Sequence, residues 1–118
     1  MKLGLELEGI SICSAHDGLS TTASLLKLGE EVGELNAAHI NKIGLSNKSA
    51  SSDSNTLEEA VDVIICATDY AFKDGATIEQ LNEMITKKLI KWSAKISRNQ
   101  LLEKEEDNKS YREIKLEV

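Results

Sequence analysis

The chain has 118 residues, of which 41% are hydrophobic and 29% charged; this balance excludes a wholly disordered protein and predicts one domain over residues 1–118. It contains no proline and only 3% aromatic residues, so the composition favours long helices with an aliphatic core over a turn-rich β-sandwich. Acidic residues outnumber basic ones by 20 to 14, and the net charge of −6 argues against general binding to nucleic acid or to an anionic membrane surface.

The sequence predicts a cytoplasmic protein. Its N-terminal segment has no apolar stretch typical of a secretory signal, and no apolar run approaches the ~18 residues that a membrane span needs. The two cysteines, Cys13 and Cys66, have neither zinc-binding nor C-x-x-C spacing, so we expect two reduced thiols.

Short strands are predicted at both ends of the chain. Leucines alternate with polar or small residues over 3–7, and Ile114, Leu116 and Val118 alternate likewise near the C-terminus. A period of two is typical of β-strands. We expect these segments to pair with each other or across a subunit boundary.

Three helices are predicted between them, the first over about residues 20–43. Ser20, or a threonine at 21 or 22, is suited to cap its start, and Gly44 is suited to end it. A loop rich in Ser and Asn follows over 44–56. The apolar residues of this helix recur at spacings that place them on one face: Leu25, Leu28, Val32, Leu35 and His39.

The second helix, over about 57–72, is predicted to be the most buried one, because 61–67 is apolar except for Asp62. Thr56 and Glu59 fit a capping box at its start. After a turn at 73–76, another capping box, Thr77 and Gln80, predicts a third helix over about 78–98. The helical core thus covers about 19–98, and 99–118 is interpreted as a C-terminal tail. The apolar stripe of the third helix consists of Ile78, Leu81, Ile85, Leu89, Trp92 and Ile96.

Two pairs of acidic residues are the most informative chemical feature of the sequence. Glu31 and Glu34 lie three residues apart on the first helix, and Glu59 and Asp62 lie three apart on the second. Residues three apart point to the same side of a helix, so two antiparallel helices can bring the four carboxylates together. Such groups repel one another unless a cation enters, and their hard oxygens suit Mg²⁺ or Mn²⁺.

Each acidic residue also has a structural explanation of its own. A charge inside the apolar run around Asp62 is costly unless it is paired, so this residue either forms a salt bridge or binds a metal ion. Glu59 fits the capping box. The acids at 30, 31 and 34 fit a solvated helix face. The matched pairs on adjacent helices favour the metal site over these separate explanations.

The acidic pattern resembles the E-E-x-x-E…E-x-x-D signature of MazG-like nucleotide pyrophosphohydrolases. It consists of EEVGE at 30–34, then 24 residues, then EAVD at 59–62. The family comprises all-α proteins related to dimeric dUTPases and dCTP pyrophosphatases. The resemblance covers about residues 19–98 and implies an all-α antiparallel helix bundle that oligomerisation completes, as a dimer or as a tetramer built from two dimers.

The resemblance also implies an activity. Glu31, Glu34, Glu59 and Asp62 become the ligands of Mg²⁺, with Mn²⁺ as a substitute. The implied reaction is hydrolysis of a nucleoside triphosphate, with deoxynucleoside triphosphates expected, to the monophosphate and pyrophosphate, a house-cleaning of the nucleotide pool. Glu30 or Glu34 is the candidate catalytic base that accepts the proton of the attacking water.

A basic stripe is predicted to complete the phosphate site. Lys88, Lys91 and Lys95, with Arg98, follow one side of the third helix. The family often carries Lys and Arg on the helix after the second acidic motif, although Trp92 stands near a position where it often has Asn. A solvated basic face is the alternative interpretation of these residues.

A single copy of three helices gives a thin core, and the apolar second helix needs more cover than one copy supplies. We therefore expect an obligate homo-oligomer with its sites near subunit interfaces, and no nucleic-acid or membrane partner. The alternative hypothesis is a non-catalytic helical module that binds nucleotide or a protein partner. Its carboxylates would then be surface or salt-bridging groups.

Overall fold

The chain is helical in a computed structural model, which describes residues 3–45 and 55–117, and side chains over 6–45 and 55–103. The elements are α1 (Leu3–His16), α2 (Thr21–Lys42), α3 (Thr56–Lys73) and α4 (Ile78–Glu117). The predicted all-α class is confirmed over these residues. Most of the predicted 44–56 loop lies outside them.

The terminal strands predicted from alternating residues are wrong. Residues 3–7 lie in α1, where Leu7 is buried; positions 3 and 7 are about one helical turn apart, so the short pattern fits a helix as well. Ile114 and Leu116 lie in α4, which continues past its predicted end at residue 98. The sequence after Gly75 contains no glycine or proline that would stop the helix. Val118 lies outside the described residues.

The predicted ends of α2 and the predicted start of α4 are confirmed. The Ser20 hydroxyl oxygen accepts a hydrogen bond of 3.0 Å from the backbone N–H of Ala23. Gly44 has φ of +76°, which glycine adopts without strain. At the start of α4, the N–H of Thr77 donates to the side chain of Gln80 at 3.0 Å, and the N–H of Gln80 donates to the Thr77 hydroxyl at 3.1 Å.

The capping box predicted at the start of α3 is wrong. The side-chain oxygen of Asn55 accepts from the N–H of Glu58 at 3.1 Å, and Thr56 is already inside the helix. Asparagine caps helices at least as well as threonine, so the helix begins one residue earlier than predicted. Glu59 is therefore not needed as a capping residue, and one of its structural explanations no longer applies.

The covered face of α2 differs from the predicted apolar face. Leu25, Val32 and His39 are exposed, whereas two other predicted members are half-buried. The pattern of apolar residues alone therefore predicted the wrong face of α2, because polar residues on the covered face have partners on α3. The covered face consists of Thr21, Ser24, Leu28, Glu31, Leu35 and Ala38.

Both α1 and α2 pack against α3. Ser24, early in α2, hydrogen-bonds Lys73 at the end of α3, and Glu34, later in α2, lies beside Glu59 near the start of α3. These contacts show that α2 and α3 run antiparallel. The chain divides into two compact units, Met1–Leu81 and Asn82–Val118, and the first contains all the predicted acidic site residues. That residues 1–118 form a single domain stays a prediction.

The prediction that the second helix is the most buried one is confirmed for the described side chains, because α3 has the largest share of buried or half-buried positions of the four helices. Its apolar centre is nevertheless incompletely covered in the single chain. On α3 only Cys66 is buried among the described side chains, while Val61, Ile64 and Ile65 are exposed. Trp92, on the predicted apolar stripe of α4, is 63% exposed. One copy supplies too few apolar partners to cover these side chains. No helix within the described residues combines the length and apolarity that crossing a membrane requires.

Replacing Asn55 by alanine tests the observed cap. Asn55→Ala is expected to lower the free energy of unfolding by about 1 kcal/mol, because the N–H of Glu58 loses its acceptor. Thr56→Ala is the matched control and is expected to change stability less. Chemical denaturation measures both. An equal or larger loss in Thr56→Ala would contradict the assignment of the cap.

Candidate metal centre

Three of the predicted metal ligands come together where α2 lies beside the start of α3. One carboxylate oxygen from each of Glu31, Glu34 and Glu59 lies within 4.8 Å of the other two. Glu31 and Glu34 stand one turn apart on α2, and Glu59 projects from the first turn of α3. The antiparallel pairing of the two helices therefore produces the convergence expected from the spacing of the acids.

The electrostatics of this group are unfavourable in the absence of a cation. Burial, followed by the charge of Glu34, raises the pKa of Glu31 above its ordinary value, and the same two causes raise the pKa of Glu59. The Oε2 atoms of Glu31 and Glu59 are buried and accept no hydrogen bond. Buried oxygens without a partner are costly, and coordination to a cation would satisfy them.

Asp62 lies close to this group but outside its tightest part. It is half-buried, and after burial and Glu34 its charge is among the causes that raise the pKa of Glu31 and Glu59. Glu30, by contrast, is exposed and does not belong to the group of three. The two predicted pairs thus approach each other, and Glu30 stands at their outer side.

Glu34 is the exposed member of the group, while Glu31 and Glu59 are half-buried. The side of the group on which Glu34 lies is therefore its solvent-exposed side. A ligand would therefore approach from the side of Glu34, and a cation held by all three residues would keep its remaining coordination positions toward that side.

The donor set fits a small, hard cation. The three grouped ligand atoms are all carboxylate oxygens, which Mg²⁺ and Mn²⁺ prefer, and these ions commonly share such ligands with phosphate groups. Burial, and next the charge of Glu31, raises the pKa of the nearby Cys66 thiol. In the metal-free protein the Cys66 thiol is therefore neutral at neutral pH and is not a thiolate ligand.

A largely apolar cleft lies between α1 and α3, and no pattern in the sequence predicted it; none of the three grouped carboxylates lines it. Its volume is about 650 Å³, and Cys66 and Lys27 form part of its wall. Its α1 side was missed because that segment was interpreted as a strand; the spacing of Leu7, Ile10 and Ser14 by three and four residues was the available helical signal. The apolar lining comes mainly from Leu7, Ile10, Cys13, Val61, Ile64 and Ile65.

The predicted phosphate ligands Lys88, Lys91 and Lys95 lie on α4 in the second compact unit. All three side chains are exposed, and their spacing places them on one side of the helix. Exposure leaves their ammonium groups accessible to anions. Their role as phosphate ligands stays a prediction.

Comparison with known proteins gives no match to a family model, a curated protein or a solved structure. The site is therefore characterised by its own geometry. The resemblance of the acidic pattern to MazG-like proteins stays a prediction.

Neutralising one buried carboxylate is expected to stabilise the metal-free protein. In Glu31→Gln or Glu59→Gln the amide removes a repelled charge from the group, so the melting temperature in a chelating buffer at pH 7 should rise. Glu30→Gln is the matched control from the same helix and should leave it unchanged. A lower melting temperature in both site variants would contradict the described electrostatics.

The metal-free protein should also lose stability as the pH rises above the ordinary carboxyl pKa of about 4.3. The folded-state pKa values of Glu31 and Glu59 are raised, so their favourable effect is complete below the unfolded value of about 4.3 and is lost as the pH passes through the folded values. The lowered pKa values of Asp17 and Asp69 act in the opposite sense, but only below about pH 4. Thermal melts at several pH values compare the wild type with the double variant Glu31→Gln/Glu59→Gln. An equal dependence of the melting temperature on pH in the two proteins would exclude the effect.

Proposed function

We propose that this protein is a Mg²⁺-dependent nucleoside triphosphate pyrophosphohydrolase of the MazG-like type, with deoxynucleoside triphosphates as its substrates. The observation that carries the proposal is the convergence of Glu31, Glu34 and Glu59, with buried oxygens that have no protein donor. Asp62 lies beside them and completes the set of acids that the family pattern names. Repulsion among these groups makes a bare triphosphate an unsuitable ligand and a cation-bound triphosphate a suitable one.

The four carboxylates have distinct roles in this proposal. The inner oxygens of Glu31 and Glu59 would hold the cation and Asp62 would supply a further oxygen. Glu34, the exposed member, would be a third ligand on the solvent side. Mn²⁺ would bind the same oxygens. When bound, the divalent ion supplies charge neutralisation for the triphosphate and acidifies water.

The proton released in hydrolysis needs a carboxylate that solvent can reach. Water adds to phosphorus, the bond to the α–β bridging oxygen breaks, pyrophosphate leaves with the bridging oxygen, and the proton of the water passes to a base. Glu34 is exposed at the mouth of the group, and Glu30 is exposed next to Glu31. These two residues are therefore the candidate proton acceptors.

The apolar cleft is the proposed place of the nucleoside. Its volume lies within the ~300–1,000 Å³ that is typical of small-molecule sites. Cys66 lines the cleft and lies near Glu31, and Lys27, also in its wall, stands one turn before Glu31 on α2. In this proposal the phosphates bind at the carboxylates, and the flat face of the base packs against the apolar wall between α1 and α3.

The protein is also proposed to work as a homo-oligomer, a dimer or a dimer of dimers. Large apolar side chains on α2 and α3, among them Leu26, Ile64 and Leu57, are more than half exposed in the single chain. Exposed apolar area of this kind favours association with a second copy. Sedimentation analysis of a stable folded monomer would contradict this part of the proposal.

Activity is tested with a panel of nucleoside and deoxynucleoside triphosphates in the presence of Mg²⁺. We expect release of pyrophosphate and monophosphate in equal amounts. Glu34→Gln should lower kcat/KM on the order of a hundredfold or more, because it removes a candidate base together with a ligand. Glu59→Gln and Asp62→Asn should give a comparable loss.

Glu58→Gln is the control for these variants, since Glu58 is an exposed neighbour of Glu59 outside the group of three. It should retain activity. Release of inorganic phosphate in place of pyrophosphate, or equal activity in all variants, would contradict the proposal. Absence of turnover combined with absence of any metal effect would favour the alternative, a non-catalytic helical module.

Mg²⁺ should raise the melting temperature of the wild-type protein. A ligand that binds the folded state at a hundred times its Kd adds about 2.7 kcal/mol of stability. The same Glu31→Gln and Glu59→Gln changes that stabilise the metal-free protein should weaken this response, whereas Glu58→Gln should keep it. An equal response in all four proteins would place the cation elsewhere.

A further inference from the structure

An ionic cluster joins α2, α3 and the segment just after α1 at the opposite end of the α2–α3 pair from Asn55. The Lys73 ammonium lies 2.7–2.8 Å from the two carboxylate oxygens of Asp17, just after α1, and 2.8 Å from the Ser24 hydroxyl on α2. Both carboxylate oxygens of Asp69, on α3 itself, lie within 3.3 Å of it. One side chain thus ties α2, α3 and the segment just after α1 together.

The part of this cluster formed by α2 and α3 is enclosed, whereas the Asp17 side chain is 33% exposed. The Lys73 side chain is 9% exposed, and Ser24, at 1%, is fully buried. The Thr21 hydroxyl adds a hydrogen bond of 3.2 Å to the backbone carbonyl of Lys73. Burial acts to lower the pKa of Lys73, but its hydrogen bonds to Asp17 and Asp69 outweigh burial and raise it, so the ammonium stays charged.

The surfaces of α2 and α3 do little by themselves to fix how the helices align along their axes. The covered face of α2 repeats at alternating spacings of three and four residues and includes the small residues Ser24 and Ala38. A slip of one or two turns, about 5 or 10 Å, keeps the same side of α2 toward α3, so the helical period alone does not select the alignment. The observed alignment is moreover the one that crowds Glu31, Glu34 and Glu59, which a slip would separate.

Something other than the carboxylates must therefore select this alignment. Among the described side chains, the ion pairs all involve Lys73: one joins it to Asp17, between α1 and α2, and the other joins it to Asp69 within α3. The contact of the ammonium with α2 is its hydrogen bond to Ser24. A buried charge that loses its partners is strongly penalised, so an ionic cluster discriminates between alignments even where it adds little net stability. The carboxylates at 31 and 34 lie about two and three turns along α2 from Ser24, near enough for a rigid helix to transmit the alignment.

We propose that Lys73 is a positioning residue that sets the alignment of α2 against α3 and thereby holds Glu31 and Glu34 opposite Glu59. The alignment itself does not depend on any activity. Its consequence for cation binding rests on the proposed function.

The alignment is measured by the distance between two spin labels, at Asn36→Cys on α2 and Glu58→Cys on α3, both exposed positions. Cys13→Ser and Cys66→Ala remove the native thiols from every protein compared. Lys73→Met removes the ammonium. Because unpaired aspartates can unfold that variant, a second one replaces the whole cluster by neutral groups: Lys73→Met with Asp17→Asn and Asp69→Asn. Lys42→Met, at an exposed lysine at the end of α2, is the matched control.

We expect one narrow distance in the reference protein and in Lys42→Met. The neutral cluster variant should fold and show a second population, displaced by about 5 Å or more. If the Lys73 contacts only stabilise the fold, their removal would lower the melting temperature but leave the distance between the two labels in the folded protein unchanged. A single unchanged distance in the neutral cluster variant would overturn the proposal.

Binding of Mn²⁺ to the same proteins, followed by electron paramagnetic resonance, separates this inference from the proposed function. A changed distance between the labels together with at least tenfold weaker Mn²⁺ binding supports both the role of Lys73 and the proposed metal site. A reference protein that does not bind Mn²⁺ refutes the metal site, and the distance data still decide the role of Lys73. Undiminished binding in a displaced variant overturns the claim that the alignment positions the carboxylates.

Discussion

Repulsion between carboxylates that the fold holds within 4.8 Å of one another is the interaction on which the rest of this structure depends. Two of these groups, Glu31 and Glu59, each bury an oxygen that accepts no hydrogen bond. Such an arrangement lowers the stability of the metal-free protein, so other contacts must offset it. A divalent cation turns the same arrangement into a favourable one, because its charge and its coordination satisfy the crowded oxygens.

The two ends of the α2–α3 pair differ in how their charges are balanced. At one end Lys73 joins two aspartates around Ser24 and leaves its charges paired. Toward the other end, acids of like charge meet without a basic partner among the described ion pairs. In the proposed account, the Lys73 cluster sets the alignment of the helices, and that alignment brings the carboxylates of Glu31, Glu34 and Glu59 together. The apolar cleft lies along α1 and α3 and borders the Lys73 cluster through Asp17 and Asp69.

The sequence predicted those parts of the fold that depend on local signals. Ser20, Gly44 and the Thr77–Gln80 box mark helix ends by their own hydrogen bonds or backbone angles, and the spacing of the acids anticipated their convergence. The covered face of α2 was missed because Ser24 is buried by a bond to a residue 49 positions away, which no hydrophobic period reveals. The α1 helix was missed because three alternating leucines fit either period.

Manganese diffraction tests the central claim most directly. Crystals soaked in Mn²⁺ and measured near the manganese absorption edge would locate the cation by its anomalous signal. The account predicts a peak bounded by oxygens of Glu31, Glu34 and Glu59, at coordination distances of about 2–2.5 Å. A crystal that shows no peak there, with these side chains directed apart into solvent, would contradict it.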